Sequence, residues 1–195
     1  MPVPNCYFGV FQDGSIKVRG IEARRHDTAP FIAETQMKLL EILARAEDAD
    51  ALREVLPQAQ DFARRQFTQL RAGKVPVEKL LVSQKLSREL GEYSTPSPAA
   101  RAVRQLQAAG KTVRPGQRVR FLYTLGKPGV SAWDVPQPPD PHCVDLPRYR
   151  ALLERAVNAV LTPIQQSVYG GLESECLYLF PPPKFQPAER LVAKV

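Results

Sequence analysis

The sequence predicts an α+β fold: an N-terminal β-hairpin followed by a mainly helical body with a few short strands. Three observations predict it. Residues 7–28, YFGVFQDGSIKVRGIEARRHDT, hold two strand-like runs flanking Asp13-Gly14, and Asp-Gly between alternating apolar residues is a strong hairpin signal, because a type I′ turn needs positive φ at both central positions. Beyond them, apolar residues recur at helical spacing over several long stretches. Between the helical stretches lie short runs that alternate as half-buried strands do. The chain has 195 residues, 44% of them apolar and 24% charged, which is enough to bury a core.

The hairpin is predicted over roughly residues 6–21. Asp27 or Thr28 offers an N-cap for the next element, with Pro30 in the first turn, where its missing N–H costs nothing. Phe31, Ile32, Met37, Leu39, Leu40 and Leu43 mark one face of a helix reaching about Ala46. Asp48 or Asp50 can cap a second helix, in which Leu52, Val55, Leu56, Phe62, Phe67 and Leu70 recur and Gly73 sits at the C′ position. Pro57 is predicted to kink or divide it. The two helices pair most simply as an antiparallel hairpin.

Lys79–Gln84 reads as a short strand. Pro98 opens a helix with Ala102, Val103, Leu106 and Ala109 facing a core and Gly110 ending it. Arg114-Pro115-Gly116 makes a turn into RVRFLYTL, where Val119, Phe121 and Tyr123 alternate with Arg118, Arg120 and Leu122 as a half-buried strand requires. Residues 126–144 carry five prolines and read as an irregular connection. A last amphipathic helix follows Asp145, through Leu152, Leu153, Val157, Val160 and Leu161, and the tail from Pro181 is Pro-rich. Trp133 and Tyr149 are placed in the core.

The net charge of +7 is unevenly spread. Residues 60–125 hold thirteen Lys/Arg against four Asp/Glu, whereas residues 31–59 are acidic and residues 126–195 are balanced. A basic block inside a structured region points to a polyanion partner, or else to a solvated basic face. No apolar run approaches the ~20 residues of a membrane helix, and MPVPNCYFGV has no secretory pattern. Cys6, Cys143 and Cys176 are an odd number without a C-x-x-C pair, which argues for a reduced cytosolic compartment and against a zinc cluster. No phosphate-cradling glycine loop is present. His142 and Cys143 lie in a Pro-rich loop with no motif to make them a nucleophilic pair.

Glu22, Arg24, Arg25, His26 and Asp27 fall within six residues. Glu22, His26 and Asp27 could serve as metal ligands or acid–base groups. A salt-bridge cluster formed by Glu22, Arg24 and Asp27, fixing the turn from strand to helix, is the simpler reading, because there is no second carboxylate cluster for a two-metal site.

Two stretches resemble the family B (alpha-like, replicative) DNA polymerases. In residues 7–28, Tyr7 matches the tyrosine of a K-K-x-Y motif, with Pro4 and Asn5 in place of the lysines. Arg19-Gly20-Ile21-Glu22 matches K/R-G-x-E, and Arg24-Arg25-His26-Asp27 matches R-R-x-D. In residues 87–124, Tyr93, Pro98, Arg104, Leu106, Gly110, Val113, Arg114, Gly116, Val119 and Phe121 occupy the positions of the thumb module. The two motifs fall in the family's order and separation, and the resemblance covers about residues 5–165.

The resemblance implies a palm-edge hairpin and charged turn at 1–28, a DNA-gripping thumb at 29–165 and a Pro-rich tail at 166–195. It implies non-specific binding of double-stranded or primer–template DNA through phosphates, by Tyr7, Arg19, Arg25, Arg101, Arg104, Lys111, Arg114, Arg118 and Arg120. It implies no catalytic or metal-binding residue in this chain, since no D-T-D-S-like segment occurs and Asp27-Thr28 is followed by Ala29. The catalytic aspartates and their Mg²⁺ are expected on a catalytic polymerase fragment, in a cytoplasmic, DNA-associated, prokaryotic setting without membrane contact. The alternatives are a free-standing duplex-DNA-binding protein and a non-functional gene remnant.

Overall fold

The computed structural model describes residues 7–11, 13–137 and 139–169. Strands β1 (Tyr7–Val10) and β2 (Ile16–Arg19) form an antiparallel hairpin in which Tyr7 faces Arg19 and Val10 faces Ile16. The turn differs from the type I′ expectation. The Gly14 N–H donates to the Phe11 carbonyl and the Phe11 N–H to the Ser15 carbonyl, each at 2.9 Å. Asp13 and Gly14 are therefore not the two central residues of a two-residue loop. Gly14 instead closes a three-residue loop at φ 79°, the left-handed position that glycine adopts without a Cβ clash.

A 3₁₀ turn at Glu22–Arg24 leads to α1 (Pro30–Leu43). Ala29, not Asp27 or Thr28, is the N-cap and offers no side-chain bond, because the Asp27 carboxylate is engaged by Arg25. After Leu43 the chain tightens into i→i+3 bonds as far as Ala46, so the regular helix stops three residues short of the expected end. Helix α2 (Ala49–Arg71) is capped by Asp48, whose Oδ1 accepts the Ala51 N–H at 2.8 Å. Pro57 lies inside α2 without dividing it. The carbonyl it leaves unpaired, on Arg53, lies on an exposed stretch of the helix where water can satisfy it. Gly73, at φ 64°, completes a Schellman ending in which Lys74 N–H reaches the Gln69 carbonyl and Gly73 N–H the Leu70 carbonyl.

Strand β3 (Val82–Lys85) starts three residues later than predicted, since Val77–Leu80 forms a 3₁₀ turn behind Pro76. Helix α3 (Pro98–Ala108) is capped by Ser97, and Gly110 at φ 78° gives it the same Schellman ending, with Lys111 N–H on the Leu106 carbonyl. Strand β4 (Arg118–Tyr123) pairs antiparallel with β3 and with β5 (Val130–Ala132), giving the order β3-β4-β5. Strand β5 corrects the expectation of an irregular stretch. Gly126 and Gly129, both at positive φ, reverse the chain so that Val130 returns opposite Tyr123. Helix α4 (Leu146–Tyr169) follows Asp145, whose carboxylate accepts the Arg148 N–H, and continues through Pro163.

Helices α1, α2 and α4 pack on one another, and α3 packs on β4 and β5. The core contains Leu39, Leu56, Leu153 and Val157 from the helices and Val119, Phe121, Ala132 and Tyr149 around the sheet. Tyr149 is fully buried and Trp133 is half-buried against that core. The Tyr149 hydroxyl accepts the Tyr123 N–H at 3.0 Å, tying α4 to the end of β4, and burial pushes its phenol well above the ordinary range. The expected tail, residues 166–195, lies outside the described residues beyond Tyr169.

Candidate nucleic-acid interface

The charged turn after β2 is organised by local pairs. Arg25 grips Asp27 through two parallel bonds, Nε to Oδ1 and Nη2 to Oδ2, both 3.0 Å. This hydrogen-bonded pairing holds the Asp27 carboxyl below the usual carboxylate range and raises Arg25 further. Glu22 is held from two sides: Oε1 accepts from Arg155 of α4 and Oε2 from Gln36 of α1, each at 3.0 Å. Arg24 is exposed and makes no ion pair with any described residue. The cluster that forms is thus Glu22–Arg155 and Arg25–Asp27, with Arg155 where Arg24 was expected.

Gln36 is the residue that sequence reasoning missed. It is fully buried. Its Oε1 accepts the Ala23 N–H at 2.6 Å, and its Nε2 donates to the Ala156 carbonyl at 2.8 Å as well as to Glu22. One amide therefore joins the charged turn, α1 and α4. The available signal was a glutamine on the apolar face of a helix, where a polar group must find partners.

The nine cations and aromatics expected at DNA fall into distinct environments. Tyr7 and Arg19 are exposed cross-strand partners on the hairpin, and the Lys17 Nζ lies 6.0 Å from the Tyr7 ring centre and 5.8 Å from that of Phe11. Arg101 Nη1 donates to the Pro128 carbonyl at 2.6 Å, pinning the turn between β4 and β5. Lys111 Nζ donates to the Asp134 carbonyl. Arg118 Nη1 donates to the Ser83 carbonyl at 3.2 Å and the His26 carbonyl at 3.4 Å, joining the sheet to the charged turn. Arg120 forms a two-pronged pair with the Asp134 carboxylate, which raises its already high pKa. Arg104 on α3 and Arg114 in the turn before β4 are exposed, with no side-chain partner among the described residues.

The remaining motif positions do structural work. Pro98 sits at the first position of α3, Leu106, Val119 and Phe121 are buried, and Gly110 and Gly116 take positive φ. The Tyr93 hydroxyl accepts the Ser87 and Arg88 N–H groups at 3.2 Å each and so fastens the loop before α3. A cavity of about 200 Å³ beside the charged turn is lined by Glu22, Arg25, Asp27, Tyr123 and Arg155, and a larger one of about 400 Å³ lies between α1 and α2. Among the described residues no three His, Cys, Asp or Glu side chains group as metal ligands, and no helix is long and apolar enough to cross a membrane.

Comparison with known proteins gives a consistent relationship. The family model for DNA polymerase family B matches residues 6–160. DNA polymerase 2 of Aeropyrum pernix is 32% identical over 120 residues, covering 62% of this chain and 14% of the relative. The DNA polymerase of Thermococcus kodakarensis is 25% identical over 130 residues, covering 67% of this chain and 7% of the relative. The structure of the family B DNA polymerase from Pyrobaculum calidifontis has the same fold over 87% of this chain and 21% of that one, with a TM-score of 0.59 at 22% identity. The chain therefore spans only a small fraction of the length of these relatives, and by its match over residues 6–160 it belongs to DNA polymerase family B.

Proposed function

We propose that this chain is the palm-edge and thumb portion of a DNA-directed DNA polymerase and holds the primer–template duplex through its phosphates. The observation that carries the reading is the family match, which runs through both the hairpin and the basic α3–β4 segment. Support comes from the exposed Arg104 and Arg114 on adjoining elements of that segment. Phosphate contact needs only charge spaced along a surface, without base readout, and that is what α3 and its following turn offer. Residues 1–28 contribute the palm edge, residues 29–165 the thumb and residues 166–195 a tail. The carboxylates and Mg²⁺ for two-metal phosphoryl transfer belong to a catalytic polymerase fragment bearing the D-T-D-S strand, and the setting is DNA-associated and cytoplasmic.

Fluorescence anisotropy of a labelled primer–template across a salt series tests this. Each neutralised phosphate contributes a log–log slope of roughly −0.9, so about four contacts give a slope near −4, equal for unrelated sequences. A flat salt profile, or affinity for one sequence alone, rejects the reading.

A further inference from the structure

The open face of the β3-β4-β5 sheet is a row of cations. Lys85 and Arg118 are cross-strand partners, as are Ser83 and Arg120, and residues two apart on a strand share a face. Lys111, just past α3, reaches the β5 side of the same sheet through the Asp134 carbonyl. Among the described residues, the carboxylate bonded to one of these four cations is that of Asp134, two residues beyond β5.

We propose that Asp134 is a built-in competitor of nucleic-acid phosphate: its carboxylate occupies the Arg120 fork that a phosphodiester of the duplex takes on binding. The inference rests on the DNA-holding function proposed above and names the device that regulates that same surface. A guanidinium presents two parallel donors that fit carboxylate and phosphate oxygens alike, and Arg120 uses both Nε and Nη2 on Asp134. The pair is open to solvent, with side chains 52% and 37% exposed, and exposed ion pairs are weak. A polyanion that releases counterions on binding can displace such a partner. The backbone holds the carboxylate in place, since the Trp133 N–H donates to the Arg120 carbonyl at 2.9 Å. Displaced, Asp134 frees the Arg120 fork on a face to which Lys85, Lys111 and Arg118 also lend positive charge. In place, it lowers the charge of that face and keeps the grip exchangeable.

The test is Asp134→Asn in the full chain, with primer–template affinity read by anisotropy at moderate salt and melting curves confirming the fold. Affinity is expected to rise roughly three- to tenfold through loss of one opposing charge at the contact. The gain should vanish in the Arg120→Ala background, where adding Asp134→Asn changes little. Asp61→Asn removes another solvent-exposed carboxylate, paired to Arg64 on α2, and controls for net charge. An equal gain from Asp61→Asn, no gain from Asp134→Asn, or a gain that persists without Arg120 overturns the proposal while leaving the DNA-holding function intact. Wild-type protein that binds no duplex at any salt overturns both.

Discussion

Among the basic residues of the α3–β4 segment, what each side chain touches separates structural from available charge. Arg101 is spent on the Pro128 carbonyl, whereas Arg104 and Arg114 have no such duty. Changing Arg104 or Arg114 to Ala should therefore weaken duplex binding uniformly across sequences and shallow the salt slope by about one unit. Folding should be nearly unaffected, within ~0.5 kcal/mol. Arg101→Ala should behave in the opposite way. It removes a charge-assisted bond to a turn and should cost about 1–2 kcal/mol, read as a melting temperature lower by several degrees, with a smaller effect on DNA. A collapse of stability in Arg104→Ala or Arg114→Ala would show that those side chains hold the fold.

At the scale of elements, the junction of the charged turn with α1 and α4 is held by one buried amide. Gln36→Leu leaves the Ala23 N–H without its partner and takes from the Ala156 carbonyl the bond it accepts from outside its own helix, and an unsatisfied buried group costs about 1–3 kcal/mol. Gln36→Glu is the sharper probe. Its ionised carboxylate would face Glu22 Oε2, which the amide now meets at 3.0 Å, and would present no proton to the Ala156 carbonyl. Burial and the neighbouring carboxylate raise the folded pKa of the introduced acid above its unfolded value. Its protonated form can donate one of the two bonds that the amide makes and removes the like charge beside Glu22, so stability is greatest below the unfolded value near 4.3 and is lost as pH rises through the folded pKa. Melting curves of Gln36→Glu and wild type should converge toward low pH and separate toward neutrality. A constant gap would mean that the amide proton is not the essential group.

For the whole molecule, most of the exposed large apolar side chains among the described residues belong to the hairpin. Tyr7, Val10 and Phe11 are 41%, 49% and 53% exposed on a two-stranded sheet whose edges pair with no further strand among the described residues, while Phe8, Ile16 and Val18 pack against the core. An open, partly apolar edge favours pairing with another sheet. Under the proposed function that partner is the catalytic palm, and a stable association should bury over ~1,000 Å². Co-expression with a family B catalytic fragment carrying the D-T-D-S strand should raise solubility and give metal-dependent primer extension that neither piece shows alone. Poor co-purification, with extension by the catalytic fragment unaided, would exclude this division of labour.

The α+β class, the presence of the hairpin, the ends of α2 and α3 and the family were legible in the linear sequence, because each depends on local signals, whereas the hairpin's register follows from a three-residue loop that the Asp-Gly signal did not indicate. Alternation sets strand faces, Asp48 caps α2, Pro98 opens α3, and Gly73 and Gly110 take the left-handed position that ends a helix. The errors arose where a distant partner decides. Asp27 could not be recognised as lost to capping without its pairing to Arg25, nor β5 as a strand without the reversal that lays it beside β4. The candidate site divides in the same way. Its basic character was visible as a run of charge, since composition is local. Which arginines are committed was decided only in three dimensions: Arg118 meets a carbonyl 92 residues away and Glu22 an arginine 133 residues away. Hydrogen bonds and ion pairs act over a few ångströms, so their partners are set by how the chain folds back on itself, and only the tertiary structure joins them.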